Sequence, residues 1–326
     1  MLKNIRMKTK ELIQKVVKKL YNVHNFGVPE QITDTQDTLE MMLKRRDIQL
    51  HNYVEFSGFN EIGRGSHSVV CSAEYSGEMV AVKEFLRLED KILVNELKRH
   101  IMVNNHENII KFLGITARLE IPGNNFMIVL QFANGGNLQD YLKSKTYDGI
   151  FKISWTELIQ IAEQIIFGIK HLHDNNMVHG NLHPKNILIN NNKVLVSGFG
   201  SARKFDGSLV TLFEEGITYE YSDPQIFIQS RFIPNTKSDI YSLGVILWEL
   251  TSGIHPFSKI PNKLFLANLT SNGKRERRVH GTPSNYAKLY KKCWNTKPKK
   301  RPELKEILHE LQQSRGAANM IKNRIS

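Results

Sequence analysis

The stretch Phe126-Met127-Ile128-Val129-Leu130-Gln131-Phe132-Ala133-Asn134-Gly135-Gly136-Asn137-Leu138 divides the chain into two regimes of hydrophobic spacing. Its apolar run is long enough for a buried strand and too short for a helix, and Gly135-Gly136 ends it just before a helical pattern begins. Upstream, from about residue 53, apolar residues alternate or sit in compact runs that end in Gly or Asn turns, the pattern of strands. Downstream, from residue 137, helical spacing dominates, as in Trp155 to His173 and Ser238 to Ser252. A chain that gathers strands in one block and helices in the next belongs to the α+β class, here a small β-rich part followed by a larger helical one. No internal repeat or low-complexity tract interrupts the pattern.

With 326 residues, 40% hydrophobic and 24% charged, the chain can bury a full core as one large two-part domain or two ordinary ones. Its two cysteines, Cys71 and Cys293, are far apart, with no C-x-x-C spacing and no nearby run of histidines. A disulfide framework and a zinc site are therefore not expected, and a reducing, cytoplasmic setting is. No run of apolar residues is long enough for a transmembrane helix, and the first 20 residues lack the apolar core of a secretory signal.

The net charge of +13 is concentrated at the ends. Residues 1–20 carry seven Lys/Arg against Glu11, and residues 291–326 carry ten against three glutamates. The nearly neutral middle argues against a continuous nucleic-acid groove, so no nucleic-acid partner is expected. In residues 1–20, Ile5, Leu12, Ile13, Val16, Val17 and Leu20 recur at helical intervals between lysines. That is a basic amphipathic helix, suited either to packing one face on the domain or to peripheral contact with anionic membranes, a partner or a targeting receptor. A second helical stretch is expected from Asp37 to Asp47, whereas the tail after Leu311 has too few apolar residues to predict order.

Several short motifs carry chemistry. Ile62-Gly63-Arg64-Gly65-Ser66-His67-Ser68-Val69-Val70 sets two glycines between apolar flanks, with Ser68 where a third would complete G-x-G-x-x-G. Glycines let a strand-turn-strand bring backbone N–H groups against phosphate, but an ordinary hairpin turn uses them equally well. Val80-Ala81-Val82-Lys83 is a strand that points a lysine to one face. Glu96, in the helical segment Lys91 to Val103, is the carboxylate that could orient it, although alone the two are also an ordinary surface pair. After the strand-linker-helix at 126–138 comes Val178-His179-Gly180-Asn181-Leu182-His183-Pro184-Lys185-Asn186, and then Val194-Leu195-Val196-Ser197-Gly198-Phe199-Gly200. Ser222-Asp223-Pro224-Gln225, Lys237-Ser238-Asp239-Ile240-Tyr241-Ser242-Leu243-Gly244, Cys293-Trp294 and Lys300-Arg301-Pro302 complete the series.

In this order, the series resembles the protein-kinase superfamily from about residue 55 to 313. VHGNLHPKN is similar to the catalytic loop H-R-D-L-x-x-x-N, SGFG to D-F-G, and SDPQ to A-P-E. HPKN, GGNL and the Cys-Trp pair resemble the tyrosine-kinase-like and tyrosine-kinase branches. The resemblance implies a bilobal fold, with an N-lobe at 53–132 and a C-lobe at 137–315, flanked by a 1–52 extension and a 316–326 tail. It also implies an ATP site. Ile62, Gly63, Gly65 and Ser68 form its phosphate loop, Val70, Ala81 and Leu188 sandwich adenine, and the Leu130–Ala133 stretch, with the backbone of Gln131 and Ala133, forms the hinge. Lys83 with Glu96 grips the phosphates, and Asn186 is a metal neighbour. Phe199 and His179, with Phe112 and His100, match an internal hydrophobic spine based on Asp239.

The departures are as informative. Asn181 stands where the catalytic base belongs and, being neutral, has no carboxylate to accept a substrate proton, which forfeits roughly 10² to 10⁴-fold in rate. Gly198 replaces the magnesium-holding aspartate, leaving Asn186 as a poor site by itself for Mg²⁺. Gly180 removes the arginine that pairs with a phosphorylated activation segment, the segment bearing Thr211, Thr218, Tyr219 and Tyr221. Gln225 replaces the glutamate that pairs with the arginine matching Arg301, so that ion pair is expected to shrink to a neutral-to-charged hydrogen bond. The expected function is a pseudokinase that retains ATP and acts as a scaffold or allosteric regulator, with other kinases or signalling proteins as partners. A weakly active or metal-independent protein kinase, and an interaction module with a non-functional pocket, remain the alternatives.

Overall fold

A computed structural model describes residues 48–65, 68–86, 90–118, 126–204, 217–315 and 320–324. The helices expected in residues 1–20 and 37–47 lie outside the described residues, as do Ser66, His67 and Thr211. The described chain forms two compact units. The first takes in the described residues up to Asn104 together with Lys111–Phe132, and the second Asn105–Ile110 and the described residues from Ala133 onward. Their contents are those of an α+β protein with a sheet-built N-lobe and a helical C-lobe.

In the first unit, β1 (Phe56–Arg64), β2 (Ser68–Tyr75), β3 (Glu78–Phe85), β4 (Phe112–Ala117) and β5 (Phe126–Gln131) form one antiparallel sheet in the order β1-β2-β3-β5-β4. Helix α1 (Asp90–Val103) belongs to the same unit. The alternation along β3 explains how the sheet uses its faces. Val80 and Val82 join Phe56, Ala73, Met127 and Val129 in a buried cluster, which leaves Ala81 and Lys83 on the opposite face. Residues 48–51, placed by the sequence reading in the extension, lie along the outer edge of β4. Leu50 bridges Ile115 in parallel, and His51 N–H donates to the Ile115 carbonyl at 2.8 Å while Ile115 N–H donates to that of Gln49 at 2.9 Å. Gly114, at φ +150°, permits this approach, because a Cβ there would stand 2.2 Å from the Gln49 carbonyl oxygen.

The second unit is built on helices. α2 (Leu138–Ser144) follows the glycine linker, with the Asn137 side chain accepting from Asp140 N–H. α3 (Trp155–Asp174) is capped by Ser154 and buries an apolar stripe from Trp155 to Leu172. α4 (Gln225–Ile228), α5 (Thr236–Ser252), α6 (Lys263–Ser271), α7 (Ser284–Cys293) and α8 (Leu304–Gln313) follow. α5 is buried from Ser238 to Ser252, so it is enclosed on all sides by protein. Short strand pairs fill the intervals: β8 (Met177–Val178) with β11 (Arg203–Lys204), and β9 (Ile187–Asn190) with β10 (Lys193–Val196). β6 (Thr146–Tyr147) and β7 (Ile150–Ser154) form a hairpin to which β12 (Met320–Arg324) adds a third strand. That last strand lies in the tail for which no order was predicted; its pairing with β7 supplies what its own apolar content does not. Asn105–Ile110 belongs here rather than with the sheet. Asn108 Nδ2 donates to the Val194 carbonyl at 2.9 Å, and Val196 N–H to that of Asn108 at 2.8 Å.

Candidate active site

The first unit carries Lys83, Glu96 and the glycine loop, to which the resemblance assigns phosphate. The register sets Val70 opposite Lys83 and Ser72 opposite Ala81 on one side, and Leu130 opposite Ala81 and Ile128 opposite Lys83 on the other. Val70, Ala81, Lys83 and Leu130 therefore share one face, opposite the buried cluster. Lys83 Nζ donates to Glu96 Oε1 at 2.5 Å. Burial pushes the Glu96 pKa up, but the charge of Lys83 and the nearby His100 outweigh it and hold the carboxylate at about 2. The His100 ring stacks on Phe112 at 5.9 Å, so two expected spine residues meet within this unit. In the glycine loop, Gly63 pairs with Val70, and Gly65 N–H donates to the Ser68 carbonyl at 2.8 Å, while Ile62 is exposed. At the end of β5, Gln131 N–H is already used by the Lys111 carbonyl at 2.9 Å.

The second unit carries the 178–186 segment that resembles a catalytic loop. Asp239, buried on α5, accepts from the backbone N–H groups of His179 and Gly180, each at 2.9 Å, and from His173 Nε2 at 2.8 Å. One neutral tautomer of His179 satisfies both its ring nitrogens: Nε2–H donates to the Ser197 carbonyl at 2.8 Å, and Nδ1 accepts from Asn181 N–H at 3.3 Å. The ring lies 5.9 Å from that of Phe199. Asp239, His179 and Phe199 thus stand together as the resemblance implies. Leu188 bridges Asn137 beside the linker, where Ala133 accepts from Gly136 N–H at 3.3 Å.

Gly198, where the resemblance implies an aspartate, has surroundings of its own. Gly198 adopts a left-handed conformation, φ +80° and ψ 47°. A Cβ at this residue would lie 2.4 Å from both Cγ and Oδ1 of Asn186 and 2.7 Å from its Nδ2. The Asn186 side chain therefore fills the volume next to residue 198. Its Nδ2 is committed to the Asn181 carbonyl at 2.9 Å and to His183 Nε2 at 3.0 Å. Burial, with His179 and Lys185 nearby, pushes the His183 pKa down to about 3, so the ring is neutral and free to accept. The Asn181 side chain accepts from Thr218 Oγ1 at 3.4 Å. The loop's polar groups are thus turned on one another, and among the described residues no cluster of three or more His, Cys, Asp or Glu could hold a metal ion.

One expectation is corrected. The ion pair to Arg301 is not lost with Gln225. Arg301 instead makes a two-pronged pair with Asp223, Nη1 to Oδ2 at 2.5 Å and Nη2 to Oδ1 at 2.7 Å, with both side chains fully buried. Asp223 also accepts from Ser238 Oγ at 3.0 Å and Gln225 N–H at 3.1 Å, while Gln225 Nε2 turns to the Thr296 carbonyl. The acid that meets Arg301 stands two residues before Gln225. The signal was present in SDPQ, where an aspartate stands in the alanine position of A-P-E beside the missing glutamate. Nothing in the sequence position of His183 marks it as the acceptor that holds Asn186.

Residues 56–311 match the family described as protein tyrosine and serine/threonine kinase. Among similar proteins are the serine/threonine-protein kinase STY17 of Arabidopsis thaliana, 28% identical over 287 residues, 86% of this chain and 46% of the relative, and mitogen-activated protein kinase kinase kinase 7 of Drosophila melanogaster, 30% identical over 274 residues, 79% of this chain and 38% of the relative. The megakaryocyte-associated tyrosine-protein kinase of Mus musculus is 28% identical over 260 residues, 77% of this chain and 47% of that protein. The chain spans less than half the length of each of these three relatives. With Lys83 on Glu96, Asp239 beneath His179, and a family match over most of its length, the chain belongs to the protein tyrosine and serine/threonine kinase family.

Proposed function

We propose that this protein is a pseudokinase: it holds ATP weakly through Lys83, Glu96 and the Val70–Ala81–Leu130 face, without a magnesium ion, and acts as a scaffold or allosteric regulator of other signalling proteins. The observation that carries this reading is the Asn186 side chain packed against Gly198, where family members place a metal-binding carboxylate. Asn181 adds to it, because its amide offers no base for a substrate hydroxyl. A magnesium ion needs several oxygen ligands in octahedral array, and here the nearest side chain presents an amide whose nitrogen is already bonded twice. Lys83, by contrast, keeps its carboxylate partner, so the protein retains a cation suited to phosphate.

The same Lys83–Glu96 pair favours a second reading, a weakly active or metal-independent protein kinase. Thermal-shift titration with ATP, with and without magnesium or manganese, separates the two when combined with transfer of labelled phosphate to a generic substrate. A shift that metal does not improve, absent in Lys83→Ala and accompanied by no phosphate transfer, fits the pseudokinase. Lys83-dependent transfer, with or without metal, would refute it, and no shift in any condition would leave a kinase fold used purely as an interaction module.

A further inference from the structure

Tyr147 stands at the tip of the β6–β7 hairpin and is 84% exposed. Every other described tyrosine is buried or half-buried, and several use their hydroxyl: Tyr53 with Arg118, Tyr141 with Glu157 and Tyr221 with Glu249. One exposed aromatic ring needs no explanation by itself. Its neighbours on the sheet supply one.

β7 alternates, with Phe151 and Ile153 buried and Lys152 exposed between them, so Ile150, Lys152 and Ser154 share the outer face. The register sets Tyr147 opposite Ile150 on one side of β7, and Arg324 opposite Ile150 and Lys322 opposite Lys152 on the other. Residues directly opposite share a face, so this one carries a phenol and three cationic positions, with Lys152 diagonal to Tyr147. None of the three strands contains an aspartate or glutamate. Asp148 stands in the turn beyond Tyr147, and Glu157, in the first turn of α3, is already held by Lys145 at 2.6 Å and by Tyr141. Among the described residues, the Lys152 side chain has no ionic partner. Like charges directly opposite on a sheet are destabilising, so the Lys322–Lys152 register works against the β12 pairing that the backbone makes. An anion on the Tyr147 oxygen would reverse that sign.

We propose that Tyr147 is a phosphorylation site whose phosphate fastens the C-terminal strand β12 to β7. The phenolic oxygen attacks the γ-phosphorus of ATP held by a tyrosine kinase. The new O–P bond forms as the bond to ADP breaks, and the phenolic proton passes to that kinase's base. Presentation is cheap, because β6 is only two residues long and the Asp148-Gly149 turn, both at positive φ, ends it. The product carries a charge of about −2 on three acceptor oxygens, on a face that holds Lys152 and the 322 and 324 positions. The proposal does not rest on the nucleotide site of this chain.

The test treats the full chain with ATP, magnesium and a broad-specificity tyrosine kinase, locates phosphate by peptide mass spectrometry, and follows amide hydrogen exchange across 150–154 and 320–324. Phosphate is expected on Tyr147, with exchange in both strands slowed about tenfold relative to the untreated chain. Tyr147→Phe should abolish the slowing. Lys152→Gln should keep the phosphate and reduce the slowing to about threefold or less, and both variants should fold, since both side chains are exposed. An unmodified Tyr147, under conditions in which the same kinase modifies a control peptide, overturns the proposal. So does a phosphorylated Tyr147 with exchange unchanged or faster, or a slowing that Lys152→Gln leaves intact.

Discussion

Restoring the missing acid by Gly198→Asp should fail to restore a metal site and should cost stability. Residue 198 sits at φ +80°, a conformation that costs a residue bearing a Cβ roughly 1–2 kcal/mol. The new Cβ would also meet Asn186 Cγ and Oδ1 at 2.4 Å, well inside contact distance, so the amide must swing away. In doing so it gives up its bonds to the Asn181 carbonyl and to His183, worth about 1 kcal/mol each net. The total is roughly 3–4 kcal/mol, a large part of the roughly 5–15 kcal/mol that holds a typical natural protein folded. Urea unfolding at neutral pH reads this as a lower midpoint at unchanged slope. Gly198→Ala isolates the steric part from the charge. Repeated in an Asn186→Ala background, it should cost only the backbone share, a coupling of at least 1 kcal/mol in a double-mutant cycle. A cost for Gly198→Ala that is the same in both backgrounds, or that stays under about 1 kcal/mol in the wild type, would show that Asn186 does not occupy the space. Metal-enhanced ATP binding by Gly198→Asp alone would refute the reasoning outright.

Asp223→Asn should destabilise by about 3–5 kcal/mol, because it strands the fully buried Arg301, and Gln225→Glu should fail to rescue it if the Thr296 carbonyl keeps residue 225 occupied; denaturant titration of the single and double variants reads both. Glu249 is buried against the Tyr221 hydroxyl at 2.6 Å, and burial raises its pKa from 4.5 to about 7. Its folded form binds the proton more tightly than the unfolded chain does, so this contribution is complete below pH 4.5 and fades as pH rises to about 7, about 3 kcal/mol in all. Glu249→Gln should flatten that limb in thermal scans across this range; an unchanged slope would place the titration elsewhere. Glu96 behaves in the opposite sense, since Lys83 holds its pKa near 2 in spite of burial: its contribution is present above pH 4.5 and lost as pH falls toward 2. Lys83→Met should therefore remove part of the acid limb seen in wild type, and a superimposable acid profile would count against the ion pair.

The ordered motifs carried the fold because each rests on a local physical demand that a sequence displays. The period-2 run ending in Lys83, the Gly135-Gly136 break and the long helical stripe from Trp155 are of this kind. The Lys83–Glu96 pair was equally legible, since its two members sit on elements whose type and order the spacing already announced. What stayed hidden depends on tertiary placement. Gln225 read as a lost ion pair because the sequence shows the residue that changed and not the neighbour, Asp223, that reaches the same guanidinium. Gly198 read as an absence, whereas the volume beside it is filled by a residue twelve positions upstream. The strand at Met320–Arg324 has no signature in its own composition, because its order comes from pairing with β7.

The segment from Ile48 to His51 bears on how this protein can be cut. The family match begins at Phe56 and the strand pattern near residue 53, and either would be a natural place to start a shortened chain. Such a fragment would strip β4 of the Gln49 carbonyl and His51 N–H that now satisfy Ile115, and of the His51 carbonyl that accepts from Thr116 Oγ1 at 3.0 Å. It would bare a sheet edge with Gly114 at its centre, where no side chain stands in the way of another strand. Trimmed to its apparent domain, the protein would acquire a tendency to associate edge to edge that the longer chain suppresses with four of its own residues.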